Sequence, residues 1–307
     1  MAKRWLWMSF IGLACIICIW AWVAQRETGG ESGSQIKVSV SMPILKYLTE
    51  RIGGSEVSVT SIINGPNCNH EYEPTTGDLK QVAASDLYIR VGMGFDRWVD
   101  QLVANAAGGR MLVIDASQGI TALVEDEEDH HEEADEDDHN HFEENPHYWG
   151  NPDHVLMMAE NIMKGLSKIA PDKQSMFEEN YRKFKDELNA LVNELKERIS
   201  GLNAKPVVSY SAAFPYLFEA FGINNVITVE STCEQEVSPK RLVEVARVMR
   251  QNRIRVLIGE MVYPELPKNL AEETGAQVVL LWPATNESGD YLATLKENIE
   301  KLVEALK

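Results

Sequence analysis

With 307 residues, 44% of them hydrophobic, the chain is long enough to bury more than one core and too long for a single small domain. Its formal net charge of −18 excludes a nucleic-acid backbone as partner, because phosphates select basic surfaces. Much of that charge lies in one run, Glu125–Glu144.

The chain opens with Lys3 and Arg4 before an apolar stretch from Trp5 to Ala24, interrupted only by Ser9 and Gly12. About 20 apolar residues suffice to cross a bilayer as a helix. Basic residues on the N-terminal flank keep that end in the cytoplasm and send the remainder out. Residues 1–26 are therefore expected to be a membrane anchor or signal segment. Three forms stay open: an uncleaved anchor, a lipoprotein through Gly12-Leu13-Ala14-Cys15, and a cleaved signal ending at Ala24. Each places the bulk of the chain outside the cytoplasm, tethered to the membrane in the first two. Residues 27–35 are polar and rich in Gly and Ser, as in a flexible linker.

Beyond the linker, short β-branched runs alternate with amphipathic segments. Strands are expected at Ile36–Met42, Val57–Ile63, Leu87–Val91 and Met111–Ile114, with helices at Ile44–Ile52, Asp78–Ala84 and Asp96–Ala106. After the midpoint, strands are expected at Val207–Tyr210, Val226–Val229, Val256–Ile258 and Val278–Leu281. Helices are expected there at Ala212–Phe221, Pro239–Gln251, Pro264–Glu273 and Tyr291–Leu306. Strand–helix alternation predicts an α/β fold with parallel sheets. Between the halves, Pro171 begins a segment whose interior from Asp172 to Ile199 has neither Gly nor Pro. Phe177, Tyr181, Phe184, Leu188, Leu191 and Leu195 recur there at helical spacing, so one long rigid helix is expected. The organisation predicted is an N-terminal α/β lobe over 36–170, with an acidic His-rich loop at 124–144. A connecting helix over 171–203 and a C-terminal α/β lobe over 204–307 complete it. Ligands of open α/β sheets gather at the carboxyl ends of strands, which points to the cleft between the lobes.

All seven histidines lie between His70 and His154. His70 occupies a loop after a strand, and His147 precedes a helix in Asn145-Pro146-His147-Tyr148-Trp149. Two imidazoles entering one cleft from separate loops suit a borderline cation such as Zn2+. Between them, His130, His131, His139 and His141 stand among carboxylates in a segment with too few apolar residues to pack. Acidity alone would make it a solubilising loop. The four histidines add weak auxiliary metal binding. No pattern combines an open metal position with a placed base, so an enzyme is not expected.

The run His70-Glu71-Tyr72-Glu73-Pro74-Thr75, then Asp78-Leu79-Lys80 and Ala84-Ser85-Asp86-Leu87, resembles the first ligand segment of the zinc/manganese solute-binding proteins of ABC importers, the ZnuA- and TroA-like family. Asn145-Pro146-His147-Tyr148-Trp149 resembles the second ligand segment, and the His-rich loop is similar to that of the zinc-handling branch. Ala271-Glu272-Glu273-Thr274-Gly275-Ala276 and the ending from Asp290 to Leu302 resemble the last helices, so the likeness spans about Ile36 to Leu306. It implies two lobes joined by one helix, a monomer, and an ABC permease as partner beside the membrane. Two implied ligands are replaced: Ser211 stands where the family has His or Glu, and Trp282 where it has Asp before Pro. Candidates to complete the shell are Glu260 after a strand, the segment Glu230–Glu236 with Cys233, and Cys68. Thiolate ligands would favour zinc or Cu+ over Mn2+. Of the four cysteines only these two lie outside the apolar leader, and a disulfide between them is the competing reading. Two further readings remain: a membrane-tethered metal buffer without a transporter, and a cleft that takes a chelated metal or small solute against Trp282.

Overall fold

Short runs rich in Val, Ile and Leu become the strands of two parallel sheets. The structure is a computed structural model that describes residues 35–65, 72–99, 103, 111–124, 144–230 and 237–307. The leader and linker up to residue 34, His70 and Cys68, the four histidines of the acidic loop, Cys233 and most of the helix expected at Asp96–Ala106 lie outside those residues. The compact unit spans Ile36–Lys307.

The first sheet joins β1 (Ile36–Val40), β2 (Val57–Ser61), β3 (Leu87–Arg90) and β4 (Leu112–Asp115) in the order β2-β1-β3-β4, all parallel. The second joins β7 (Val207–Ser209), β8 (Asn225–Thr228), β9 (Val256–Glu260) and β10 (Gln277–Leu281) in the order β10-β9-β7-β8, again parallel. Parallel strands covered on both faces read as continuous apolar runs, and all five residues of β9 are buried. A two-residue antiparallel pair, β5 (Leu123–Val124) with β6 (Glu144–Asn145), was not foreseen in the sequence. It brings together the two ends of the acidic loop.

Helices cover the sheets where their apolar stripes fall. In α1 (Pro43–Gly53), Ile44, Leu45, Leu48 and Ile52 are buried, and the helix stops at Gly54, whose φ of 56° suits a residue without Cβ. Next, α2 (Thr76–Ala83) starts from a capping box of Thr75 and Asp78. In α3 (Pro152–Ile169), Asn151 caps the first turn through the Asp153 amide at 2.9 Å, and Pro152 takes a position whose N–H has no helical partner. The long helix begins with a tighter turn, Pro171–Lys173, and continues as α4 (Gln174–Ile199) for 26 residues. Phe177, Phe184, Leu188, Leu195 and Ile199 form its buried face; Tyr181 and Leu191 are partly buried against the same core. Helix α5 (Pro215–Phe221) starts three residues later than expected because Ser211 turns the chain by accepting the Ala213 amide at 3.1 Å. Helices α6 (Pro239–Gln251), α7 (Lys268–Thr274) and α8 (Tyr291–Ala305) complete the chain, α7 waiting until Pro267 has passed.

One apolar core runs through both halves: Val38, Val40, Leu87 and Ile89 of the first sheet belong to the same cluster as Val207, Ile258 and Leu281 of the second. Helix α4 packs on α1 and α3 on one side and on α8 on the other, so one rigid element touches both halves. Opposite faces carry separate smaller cores, with Tyr88 and Val82 under the first sheet and Leu257, Val245 and Met249 under the second. Among the described residues no helix is long and apolar enough to cross a membrane.

Candidate metal-capture site

The carboxyl ends of the second sheet present four side chains in a row. Trp282 follows β10, Glu260 ends β9, Ser211 lies just past β7 and Glu230 just past β8, in sheet order β10-β9-β7-β8. Backbone bonds fix these exits: the Tyr210 amide donates to Ile258 O at 2.7 Å, and the Glu230 amide to Tyr210 O at 2.9 Å. The Ser211 hydroxyl donates to the Glu260 carboxylate. Ser211 thus hands its hydroxyl to the carboxylate that ends β9.

Glu260 is 9% exposed, and burial raises its carboxyl, with the Ser211 hydroxyl acting in the opposite direction. Glu230 is pushed up to about 7, first by burial and then by the Glu260 charge. Two carboxyls at strand ends with β7 between them, partly stripped of water, repel when both ionise. A cation between or beside them would relieve that repulsion. Glu230 appeared in the sequence only within a candidate segment; its place two residues past β8, like Ser211 two residues past β7, was the signal that singles it out.

Trp282 does not face an empty wall. Its indole N–H donates to Glu297 on α8 at 3.0 Å, while Asn298 Oδ1 accepts its backbone amide at 2.9 Å.

His147 reaches this region from the other side. Its side chain is 1% exposed. Nδ1 lies 2.8 Å from Asn145 Oδ1, and the ring stands edge-on to Trp149, 5.3 Å between centroids. The turn that carries it is bolted to both sheets. Tyr148 donates to Val91 O at 2.5 Å, at the exit of β3. Trp149 donates to Pro283 O at 2.8 Å, just past β10, and Asn145 Nδ2 donates to Ala212 O at 2.8 Å, just past Ser211. Tyr216 of α5 donates to Asn145 O at 2.8 Å and accepts the Leu123 amide at 2.7 Å. His147 is thereby connected to Glu260 through Asn145, Ala212 and Ser211. His154, in the first turn of α3, braces the same turn through Tyr148 O at 3.2 Å.

Under the first sheet's exits, a buried carboxylate that the sequence did not single out holds the loop after β3. Asp96 accepts the Ser41 hydroxyl at 2.5 Å and the amides of Val91 and Gly92 at 2.7 and 3.0 Å. Burial raises its carboxyl, opposed by those three donors.

Among the described residues no three His, Cys, Asp or Glu side chains converge on one point. Of the candidates read from the sequence, His147 and Glu260 are brought to one region. His70, Cys68, Cys233, His130, His131, His139 and His141 lie outside the described residues.

Comparison with known proteins bears on the same arrangement. Residues 38–305 match a family described as zinc-uptake complex component A, periplasmic (ZnuA). The manganese ABC transporter substrate-binding lipoprotein PsaA of Streptococcus pneumoniae is 27% identical over 308 residues, 96% of this chain and 96% of PsaA. The iron-binding protein YfeA of Yersinia pestis is 28% identical over 251 residues, 80% of this chain and 76% of YfeA. A crystal structure of ZnuA is similar at a TM-score of 0.76 and 28% identity, covering 89% of this chain and all of that one (100%).

Proposed function

The chain belongs to the periplasmic zinc-uptake component A family, and from that premise we propose that it is an extracytoplasmic solute-binding protein that captures a divalent transition metal for an ABC importer. Zinc is the first expectation and manganese the second. The metal is the cargo, taken between the two sheets and passed to a membrane permease. The observation that carries this reading is the buried imidazole of His147, held in one orientation against the exits of the second sheet where Glu260 lies.

In this reading His147 and His70 bring imidazole nitrogens, and Glu260 brings a carboxylate in place of the ligands replaced by Ser211 and Trp282. Imidazole with carboxylate suits zinc and also accommodates manganese. Cys68 and Cys233 are the alternative donors, and thiolate at either would turn preference toward zinc or Cu+. The relatives support the class and not one metal: PsaA is named for manganese, YfeA for iron and the matched family for zinc uptake. The long helix α4, packed on both halves, favours a small closing motion over a wide hinge.

The test is metal affinity of the exported chain by competition with a coloured chelator. Replacing a buried ligand, His147→Ala, should weaken stoichiometric zinc binding on the order of 100-fold or more. Unchanged affinity with an intact fold would refute the site.

A further inference from the structure

We infer that Asn145 is a positioning residue that sets the tautomer of His147, so that Nε2 is the atom presented to metal. This rests on the reading of His147 as a ligand, and it starts from two bonds whose direction is not negotiable. The His147 backbone N–H only donates, and it lies 3.0 Å from the Asn145 side chain. The Ala212 carbonyl only accepts, and it lies 2.8 Å from the other side-chain atom. Together they fix the amide, with Oδ1 toward His147 and Nδ2 toward Ala212. Turning the amide over would set donor against donor and acceptor against acceptor in a site where Asn145 is 5% exposed.

Once Oδ1 faces His147, the ring nitrogen beside it has no choice. His147 Nδ1 lies 2.8 Å from an oxygen that already accepts one N–H. In the neutral imidazole, Nδ1 therefore carries the hydrogen and Nε2 the lone pair. A metal-binding histidine needs this arrangement, with one nitrogen donating to a fixed oxygen and the other coordinating. Here the fixed oxygen belongs to an amide whose other arm grips the second sheet beside Ser211. Asn145 thus does two separable things: it orients the ligand atom, and it ties the His147 turn to the strand exit that leads to Glu260.

The experiment uses the full exported chain, stripped of metal and labelled with 15N-histidine. Long-range proton–nitrogen spectra are taken near pH 8, well above the usual imidazole range. The wild type should show His147 as the Nδ1–H tautomer; the Nε2–H form there overturns the inference. Asn145→Ala should release the ring to a mixed tautomer population and weaken binding of zinc alone about 10–100-fold. Asn145→Asp keeps the oxygen and drops the Ala212 bond, so it should restore the Nδ1–H tautomer. An unmoved tautomer in Asn145→Ala overturns the inference whatever the affinity. If Asn145→Ala fails to fold, the spectra of the wild type and Asn145→Asp still decide. Zinc affinity lost in His147→Ala but kept in Asn145→Ala overturns the role of Asn145 alone. Affinity kept in both removes His147 from the site.

Discussion

Replacing Glu230 by Gln removes the cost of ionising a partly buried carboxyl on the same sheet edge as Glu260, with β7 between them. Burial and the Glu260 charge lift Glu230 from 4.5 to about 7 in the folded protein. The folded value is above the unfolded one, so the proton is held more tightly when folded. The stabilising contribution is complete below about pH 4.5 and is lost as pH rises through about 7. A carboxyl moved that far is worth at most ~3.5 kcal/mol at ~1.4 kcal/mol per tenfold change in proton affinity. Glu230 is only partly buried, and solvent screening brings the figure to about 1–2 kcal/mol. Metal-free wild type and Glu230→Gln are melted in parallel at about pH 5 and about pH 8. The variant should gain on the wild type between those two pH values by about 2–6 °C. A gap that stays constant, or one that widens in favour of the wild type, would show that Glu230 is solvated and that the paired-carboxyl argument is wrong.

Three other perturbations probe the frame around the site. Gly92 has φ 84°, and a Cβ there would lie 2.1 Å from Asp115 Oδ1, so Gly92→Ala should cost about 2–4 kcal/mol in urea unfolding. A loss below about 0.5 kcal/mol would mean that the loop after β3 yields freely. Trp149→Phe removes the donor to Pro283 O and leaves a buried carbonyl unpaired, an expected loss of about 1–3 kcal/mol by the same assay. Because Val124 pairs with Glu144 and Leu123 with Asn145, residues 125–143 should be replaceable by Asn-Gly. The shortened chain should melt within about 2 °C of the wild type and keep its tight zinc site while losing weak binding in equilibrium dialysis. Loss of the tight site would make the loop a source of ligands.

The sheets were legible because buried parallel strands are rich in apolar and β-branched residues, and the runs around Val38, Leu87, Val207 and Val256 are mostly of that kind. Helix α4 was legible from Phe177 to Leu195, since nothing in that stretch interrupts 3.6-residue spacing. Helix starts were less so. At α5 and α7 the first turn depends on where Ser211 and Pro267 let the chain bend, which local propensity does not encode. In the site, His147 stood out by residue type and neighbours. Asp96 did not, because an Asp after a Gly-rich turn is ordinary until three donors converge on it.

By itself the sequence determined the alternation of strands and helices, the stiff helix between two halves, and the residues able to bind a transition metal. These are properties of period and side-chain chemistry, and both are local. Only the tertiary structure decided that Glu230 and Glu260 share one strand-end surface, that Ser211 serves Glu260, and that Asn145 holds one nitrogen of His147 while gripping the opposite sheet. Ser211 and Glu260 are 49 positions apart in the chain, and Asn145 and Ala212 are 67 apart. Ser211 and Glu260 meet because the parallel strands β7 and β9 deliver their carboxyl ends to one edge, and Asn145 reaches Ala212 there from the separate pair β5–β6.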